Sequence, residues 1–225
     1  MKLWVVGVAI VTVGVLLLVG GREASMDCTR PIELTSEEQS FLLDLARRTL
    51  HAHLAEQPKP EFDEASLSDR LRTEAPCFVT LQAEGRLRGC ILDSFVPHEP
   101  IHRNVMRNVI LAATGDPRFP PVTLKELDGI TIEISVLGRP YAIAFETPDE
   151  LAATLRPGID GVILTTTFGS STYLPQVWEQ LPDPETFLAE LCRKHGAPSD
   201  CWKTDELLRV EVYQVVHFGE ADAGP

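Results

Sequence analysis

Residues 77–92, with the sequence CFVTLQAEGRLRGCIL, predict a β-hairpin that turns at residues 84–86. Apolar and polar residues alternate along the first strand, as expected for a strand with one buried face. On the returning strand, the period-2 alternation of side chains predicts that Arg88 and Cys90 lie side by side, opposite the core. Gly89 between them leaves bare backbone, which indicates a bulge or the close approach of a ligand or another chain.

Two interpretations of Arg88 and Cys90 are open at this point. A cysteine in a sheet is most often a small buried apolar residue, and an arginine beside it can simply pair with a carboxylate. Alternatively, both side chains belong to a functional site. At a separation of roughly 6–7 Å the guanidinium would lower the pKa of the thiol only modestly, while burial would raise it. In that case we expect a partly accessible Cys90 that is not strongly activated, and an Arg88 that binds an anion.

Residues 116–121, DPRFPP, are the second notable stretch. The three prolines restrict φ to about −65° and stiffen the loop at little entropic cost. Such a loop can present an ion pair of Asp116 and Arg118 beside the aromatic face of Phe119. The alternative is purely structural, with Phe119 in the core and the ion pair serving only the loop. We predict that this loop lies beside the returning strand of the hairpin and forms one wall of a cleft.

Composition limits the classes of function. The chain has 225 residues and 44% hydrophobic residues, which suits one domain and an appendage. Its net charge of −13 argues against a nucleic-acid partner, which would require a basic surface. His98 and His102 are four residues apart but have no evident third ligand, so we expect no metal site and no cofactor. An odd number of cysteines without a Cys-x-x-Cys pair predicts neither a disulfide framework nor structural zinc; they are Cys28, Cys77, Cys90, Cys192 and Cys201.

The N-terminal residues 3–21 carry no charge and are mostly Val, Leu, Ile, Gly and Ala. This run is about long enough to cross a bilayer and exceeds the usual apolar core of a signal peptide. We therefore predict a single-pass membrane protein with an anchor and linker at 1–26, a domain at 27–219 and a mobile tail at 220–225. A cleaved signal peptide and a start at Met26 are the alternatives. Positive residues flank the run on both sides, which leaves the sidedness open.

The remaining sequence predicts both helices and strands. Thr35 and Glu38 have the spacing of a capping box and begin a helix that is apolar on two sides. The other predicted elements are a helix over 101–113, a strand over 130–137, a hairpin over 158–174, a helix ending near His195 and a long strand over 207–218.

LRGCI at residues 87–91, followed by DPRFPP, resembles the signature of the AMMECR-type domain, which in bacteria is protein A of the AmmeMemoRadiSam system. Three more motifs of that family occur in the expected order, namely IEISVL (132–137), PGIDGV (157–162) and YLPQVW (173–178). The resemblance implies an α+β fold, in which an antiparallel sheet flanked by helices and a smaller subdomain enclose a cleft. Leu92 is one departure, because the family usually has glycine there.

The resemblance implies no settled reaction, and two classes of function follow. The first is a binding module or accessory subunit for a Memo-like protein and a radical S-adenosylmethionine enzyme, the partners that the family context implies. The second is an enzyme that uses Cys90 as a nucleophile or redox group, with Arg88 favouring the thiolate. The cleft of the binding module would be built from Arg88, Gly89, Asp116, Arg118 and Phe119.

Overall fold

Residues 30–221 are described by the computed structural model, and they form a mixed α+β fold with two four-stranded antiparallel sheets. The α+β class predicted from the sequence is confirmed. The helices are α1 (Ser36–Leu54), α2 (Asp69–Arg72), α3 (Ile101–Thr114), α4 (Pro148–Thr154), α5 (Pro184–Lys194) and α6 (Cys201–Thr204). The strands are β1 (Cys77–Ala83), β2 (Arg86–Ile91), β3 (Ile130–Leu137), β4 (Tyr141–Ala142), β5 (Gly161–Thr166), β6 (Gly169–Tyr173), β7 (Arg209–Tyr213) and β8 (Val215–Gly219).

The first sheet has the strand order β2-β1-β3-β8 and contains the hairpin predicted at residues 77–92. On one face Val79, Leu81, Ile132 and Ile134 are fully buried beneath helices α1 and α3. Because side chains alternate along each strand, the same strands present their intervening polar residues on the opposite face. This polar face forms the floor of a cleft.

A β-bulge interrupts the predicted alternation on β2. Leu81 of β1 pairs with Gly89, but the following residue of β1 pairs with Leu87, which leaves Arg88 as the extra residue. The prediction that Arg88 and Cys90 share one face is therefore wrong. Instead Leu87, whose exposed fraction is 43%, lines the cleft together with Cys90.

Gly89 lies where helix α3 packs against the sheet. A Cβ atom on Gly89 would overlap the backbone carbonyl of Ala112, so this close packing of helix on strand requires glycine. The bare backbone of Gly89, for which the sequence suggested the approach of a ligand or another chain, is thus covered by a helix of the same chain.

The second sheet has the order β4-β7-β5-β6, and its core includes the indole of Trp178 stacked on Phe187 at 3.7 Å. Only Gln214 separates β7 from β8, so one segment of chain contributes a strand to each sheet. The single long strand predicted over 207–218 is corrected accordingly. Gln214 stands where an apolar residue would continue the buried series, and the chain changes sheets at this residue.

A small apolar cluster joins the two sheets. Tyr213 is fully buried in it beside Leu137 and Ile163, and its hydroxyl is 2.9 Å from that of Thr172. Leu92 packs against this cluster and is not among the residues that line the cleft. The departure from the family pattern at Leu92 therefore leaves the cleft open.

A disulfide links Cys192 near the end of α5 to Cys201 at the start of α6, with a Cα–Cα distance of 6.0 Å. The sequence predicted no disulfide framework, and the expectation is wrong for this pair of cysteines. The spacing alone was uninformative, because the two residues meet only where the chain reverses at Gly196, with φ of 82°.

We expect loss of this disulfide to lower the free energy of unfolding by about 2.5 kcal/mol, the chain-entropy value for a loop of this length. The measurement is urea unfolding of the oxidised chain with and without reductant. As a control, the Cys192→Ala/Cys201→Ala double variant should unfold at the lower midpoint and should not respond to reductant. Equal midpoints for the oxidised and fully reduced wild-type chain would contradict this prediction.

Between residues 30 and 221, no helix combines the length and apolar character needed to cross a bilayer. The predicted transmembrane anchor, residues 1–26, lies outside the described residues. The predicted membrane localisation is corrected on this finding and is not carried further.

Glu220, assigned from the sequence to a mobile tail, belongs to the folded domain. Its carboxylate forms an ion pair with Arg47 on α1 and accepts the backbone N–H of Ile132 at 2.8 Å. Residues 222–225 of the predicted tail lie outside the described residues.

Candidate functional site

A cleft of about 460 Å³ lies between the polar face of the first sheet and residues 172–194, which run from β6 to the end of α5. From the first sheet it is lined by Phe78, Thr80, Cys90, Glu133, Ser135 and His217, among others. Its opposite wall includes Thr172, Tyr173, Leu174, Gln176, Val177 and Lys194. The volume is within the usual range for small-molecule sites, roughly 300–1,000 Å³.

Cys90 is held at one end of the cleft by hydrogen bonds from three directions. Its backbone N–H donates to Asp116 Oδ2 at 2.9 Å, its carbonyl accepts from Arg118 at 3.2 Å, and its sulfur accepts from the Thr80 hydroxyl at 3.3 Å. Burial raises the pKa of the thiol, although the Thr80 hydrogen bond and the charges of Arg118 and Lys194 oppose the rise. The thiol is therefore close to two cations yet remains protonated at neutral pH.

Asp116 fastens the proline-rich loop to strand β2. Its buried carboxylate accepts the backbone N–H of Arg118 at 3.1 Å and both Nε and Nη2 of the same residue at 2.9 and 2.6 Å. Together with the N–H of Cys90, these bonds hold the pKa of Asp116 at about 2. The Arg118 side chain, half-exposed, is thereby fixed at the mouth of the cleft.

Lys194 brings a second cation from the end of α5. Its Nζ donates to the Thr172 carbonyl at 2.7 Å and lies 4.6 Å from the centre of the Tyr173 ring. Burial lowers the pKa of this ammonium, and the nearby charge of Arg118 lowers it further. Within residues 30–221, no carboxylate forms an ion pair with Lys194.

The structure places the remaining predicted site residues outside this cleft. Arg88 donates to Glu126 at 3.0 Å and to the Pro120 carbonyl at 2.9 Å, which secures the proline-rich loop from its other side. Phe119 is partly buried, and the Arg118 guanidinium lies 5.5 Å from its ring centre. Gly89 faces α3, as described above. Of the predicted site residues, Cys90 and Arg118 line the cleft, and Asp116 positions both of them.

In the part of the chain that the structure describes, His98 and His102 belong to no metal-binding group. His98 donates from Nδ1 to the Val96 carbonyl at 2.9 Å and accepts from Arg107 at Nε2, and buried His102 donates from Nδ1 to the Leu71 carbonyl at 2.8 Å. Across residues 30–221, no group of three or more His, Cys, Asp or Glu side chains is arranged to hold a metal ion.

Sequence reasoning did not select Lys194, Tyr173, Gln176 or Glu133 as site residues. Three of them lie in the motifs IEISVL and YLPQVW, and the fourth closes the helix after LCR. The available signal was the presence of polar residues inside short motifs that are otherwise apolar. Which of those polar residues meet depends on how the two sheets pack, and no local pattern shows it.

Comparison with known proteins agrees with this architecture. Residues 43–218 match the AMMECR1 family model. A protein from Methanothermobacter thermautotrophicus is 37% identical over 188 residues, which cover 83% of this chain and 96% of that protein. A protein from Methanocaldococcus jannaschii is 37% identical over 192 residues, covering 84% and 93%. The crystal structure of an uncharacterized protein from Pyrococcus horikoshii has a TM-score of 0.77 and 35% identity, and covers 86% of this chain and 97% of that one. The chain belongs to the AMMECR1 family.

Proposed function

We propose that this chain is a binding module whose cleft holds the anionic group of a ligand between Arg118 and Lys194. The observation that carries the proposal is the exposed Lys194 side chain, whose ammonium donates to the Thr172 carbonyl, lies near the charge of Arg118 and has no carboxylate partner in the described part of the chain. Two cations held close together repel each other, and an anion between them would offset both the repulsion and the desolvation.

The hydrogen bonds of Arg118 support the same role. Arg118 uses Nε and Nη2 for Asp116 and Cys90, which leaves the second terminal nitrogen of the guanidinium for a ligand. Asp116 neutralises one of the two cations and is already saturated by its four hydrogen bonds. One net positive charge therefore faces the cleft beside Cys90. Arg118 takes the anion-binding role that the sequence suggested for Arg88.

The wider role proposed is that of a binding module or accessory subunit. The resemblance to protein A of the AmmeMemoRadiSam system suggests a Memo-like protein and a radical S-adenosylmethionine enzyme as partners. In this proposal those partners perform the chemistry, and the present chain binds or presents a ligand.

An enzyme that uses Cys90 as its nucleophile is the alternative, and the proximity of Arg118 and Lys194 to the thiol favours it. Two observations weigh against it. Burial raises the pKa of the thiol, and the hydrogen-bond partner of the sulfur is the Thr80 hydroxyl, which is not a general base at neutral pH. Binding therefore accounts for the site better than nucleophilic catalysis does.

The test is a titration of the full chain with inorganic phosphate and with acetate. Binding is monitored by the NMR chemical shifts of residues that line the cleft. Lys194→Met should weaken binding by about 1.5–3 kcal/mol, or roughly 10- to 150-fold, for one lost charged hydrogen bond. The control is Lys125→Met, which removes the same charge at an exposed position outside the cleft and should leave binding unchanged.

Binding that does not respond to Lys194→Met would overturn the proposal. The thiol provides the second criterion. Selective alkylation of Cys90 by iodoacetamide, with a kinetic pKa well below neutral, would favour the nucleophile instead.

A further inference from the structure

We infer that the ligand is a short peptide-like zwitterion, with its carboxylate at Arg118 and Lys194 and its amino group at Glu133 and Gln176. This inference rests on the proposed function and adds the chemical class of the ligand. The cleft has opposite polarity on its two sides, since the cations Arg118 and Lys194 act on Cys90 of β2, whereas the acceptor Glu133 lies on β3, beyond β1.

The acceptor end is formed by side chains from both halves of the domain. Glu133 lines the cleft with a carboxylate whose Oε1 accepts from Gln82 at 2.7 Å, which leaves its other oxygen available. From the opposite wall, Gln176 contributes a buried Oε1 that has no hydrogen-bond partner within residues 30–221. A buried acceptor without a partner is unfavourable, and a rotation of the Gln176 side chain toward the cleft would let an ammonium or N–H group of a ligand satisfy it.

The strand register sets the distance between the two ends. Cys90 lies directly opposite Thr80, and Thr80 lies directly opposite Glu133. Two strand spacings of about 4.8 Å therefore separate the Cα atoms of Cys90 and Glu133. An α-amino acid is too short to reach both ends, because its charged groups are attached to one carbon. Two or three peptide residues, at roughly 3.5 Å each, match the distance.

The cleft also offers apolar surface to the side chains of such a ligand. Phe78, Leu174 and Val177 are among the residues that line it. Long-range electrostatics favour the same class, because the chain has a net charge of −13 and repels simple anions. A zwitterion has no net charge, so it avoids this repulsion while it still supplies a carboxylate to the two cations.

The experiment compares Ala-Leu with N-acetyl-Ala-Leu and Ala-Leu amide by calorimetric titration of the full chain. We expect acetylation and amidation each to weaken binding at least tenfold. Glu133→Gln should weaken Ala-Leu at least tenfold and leave the acetylated peptide unchanged, whereas Lys194→Met should weaken both. Glu179→Gln, at an exposed position outside the cleft, is the matched control and should bind like the wild type.

The outcomes separate this inference from the proposed function. Equal affinities for the free and acetylated peptides would overturn the inference of a zwitterionic ligand, and so would an Ala-Leu affinity that Glu133→Gln leaves unchanged. Neither result would contradict the proposed anion site at Arg118 and Lys194. Binding of phosphate without binding of any peptide would likewise overturn the zwitterionic ligand and leave the anion site standing. If neither peptides nor phosphate respond to Lys194→Met, both proposals fail. Circular dichroism of each variant shows that the fold is retained.

Discussion

Replacement of Gly89 by alanine is expected to destabilise the domain by about 3 kcal/mol, at the upper end of the usual cost of overpacking. The added Cβ would overlap the backbone carbonyl of Ala112, and a backbone atom cannot move aside as a flexible side chain can. Relief therefore requires helix α3 to shift away from β2, which would reduce the burial of Val109 and Ala113. The free energy of unfolding of a domain is about 5–15 kcal/mol, so this would be a large loss.

The measurement is the urea midpoint of the Gly89→Ala variant against that of the wild-type chain. Gly129→Ala is the matched control, because a Cβ at Gly129 meets no atom within 4 Å and its φ is not positive. The control should change stability by less than about 0.5 kcal/mol. An unchanged midpoint for Gly89→Ala would show that α3 can accommodate the extra carbon, and the argument for glycine at this position would be lost.

Asp116→Asn is expected to cost about 2–3 kcal/mol, because charged hydrogen bonds to the Arg118 guanidinium and to the Cys90 N–H are weakened together. The cost should exceed that of Asp44→Asn, the control. Asp44 forms an exposed ion pair with Arg48, and such pairs contribute only about 0.5 kcal/mol. Equal effects of the two substitutions would show that the loop is not held by its carboxylate.

The same carboxylate predicts a pH dependence. The pKa of Asp116 is about 2 in the folded chain and near its ordinary value of about 3.9 in the unfolded chain. The stabilisation is therefore fully present above about pH 4 and is lost as the pH falls through about 2. It amounts to about 2.6 kcal/mol by linkage. Unfolding measured between pH 5 and pH 2 should show this contribution in the wild-type chain and not in Asp116→Asn.

The sequence by itself determined the features that depend on near neighbours. Alternation and a turn at residues 84–86 predicted the hairpin of β1 and β2. In the structure two residues form the turn, and Glu84 and Gly85 adopt the positive φ values that it requires. The capping box at Thr35 and Glu38 is also confirmed, since each side chain bonds to the backbone N–H of the other residue. These interactions span a few residues, and the local sequence specifies them.

Family membership was likewise readable from the sequence, because several short motifs occur in a characteristic order. The contact between the proline-rich loop and the hairpin followed from the two strongest of these motifs. Asp116 does bind the backbone of Cys90, although the pattern could not show which atoms meet.

Only the tertiary structure decided which side chains share the cleft. The prediction for Arg88 assumed an unbroken ladder, and one extra residue at the bulge moved that guanidinium to Glu126. The bulge adjoins Gly89, which packs against Ala112 of α3, a residue distant along the chain. The charge of Lys194 acts on the Cys90 thiol although α5 packs on the second sheet and Cys90 lies on the first. Local sequence patterns describe neighbours along the chain, whereas these contacts are set by how two sheets and their helices pack.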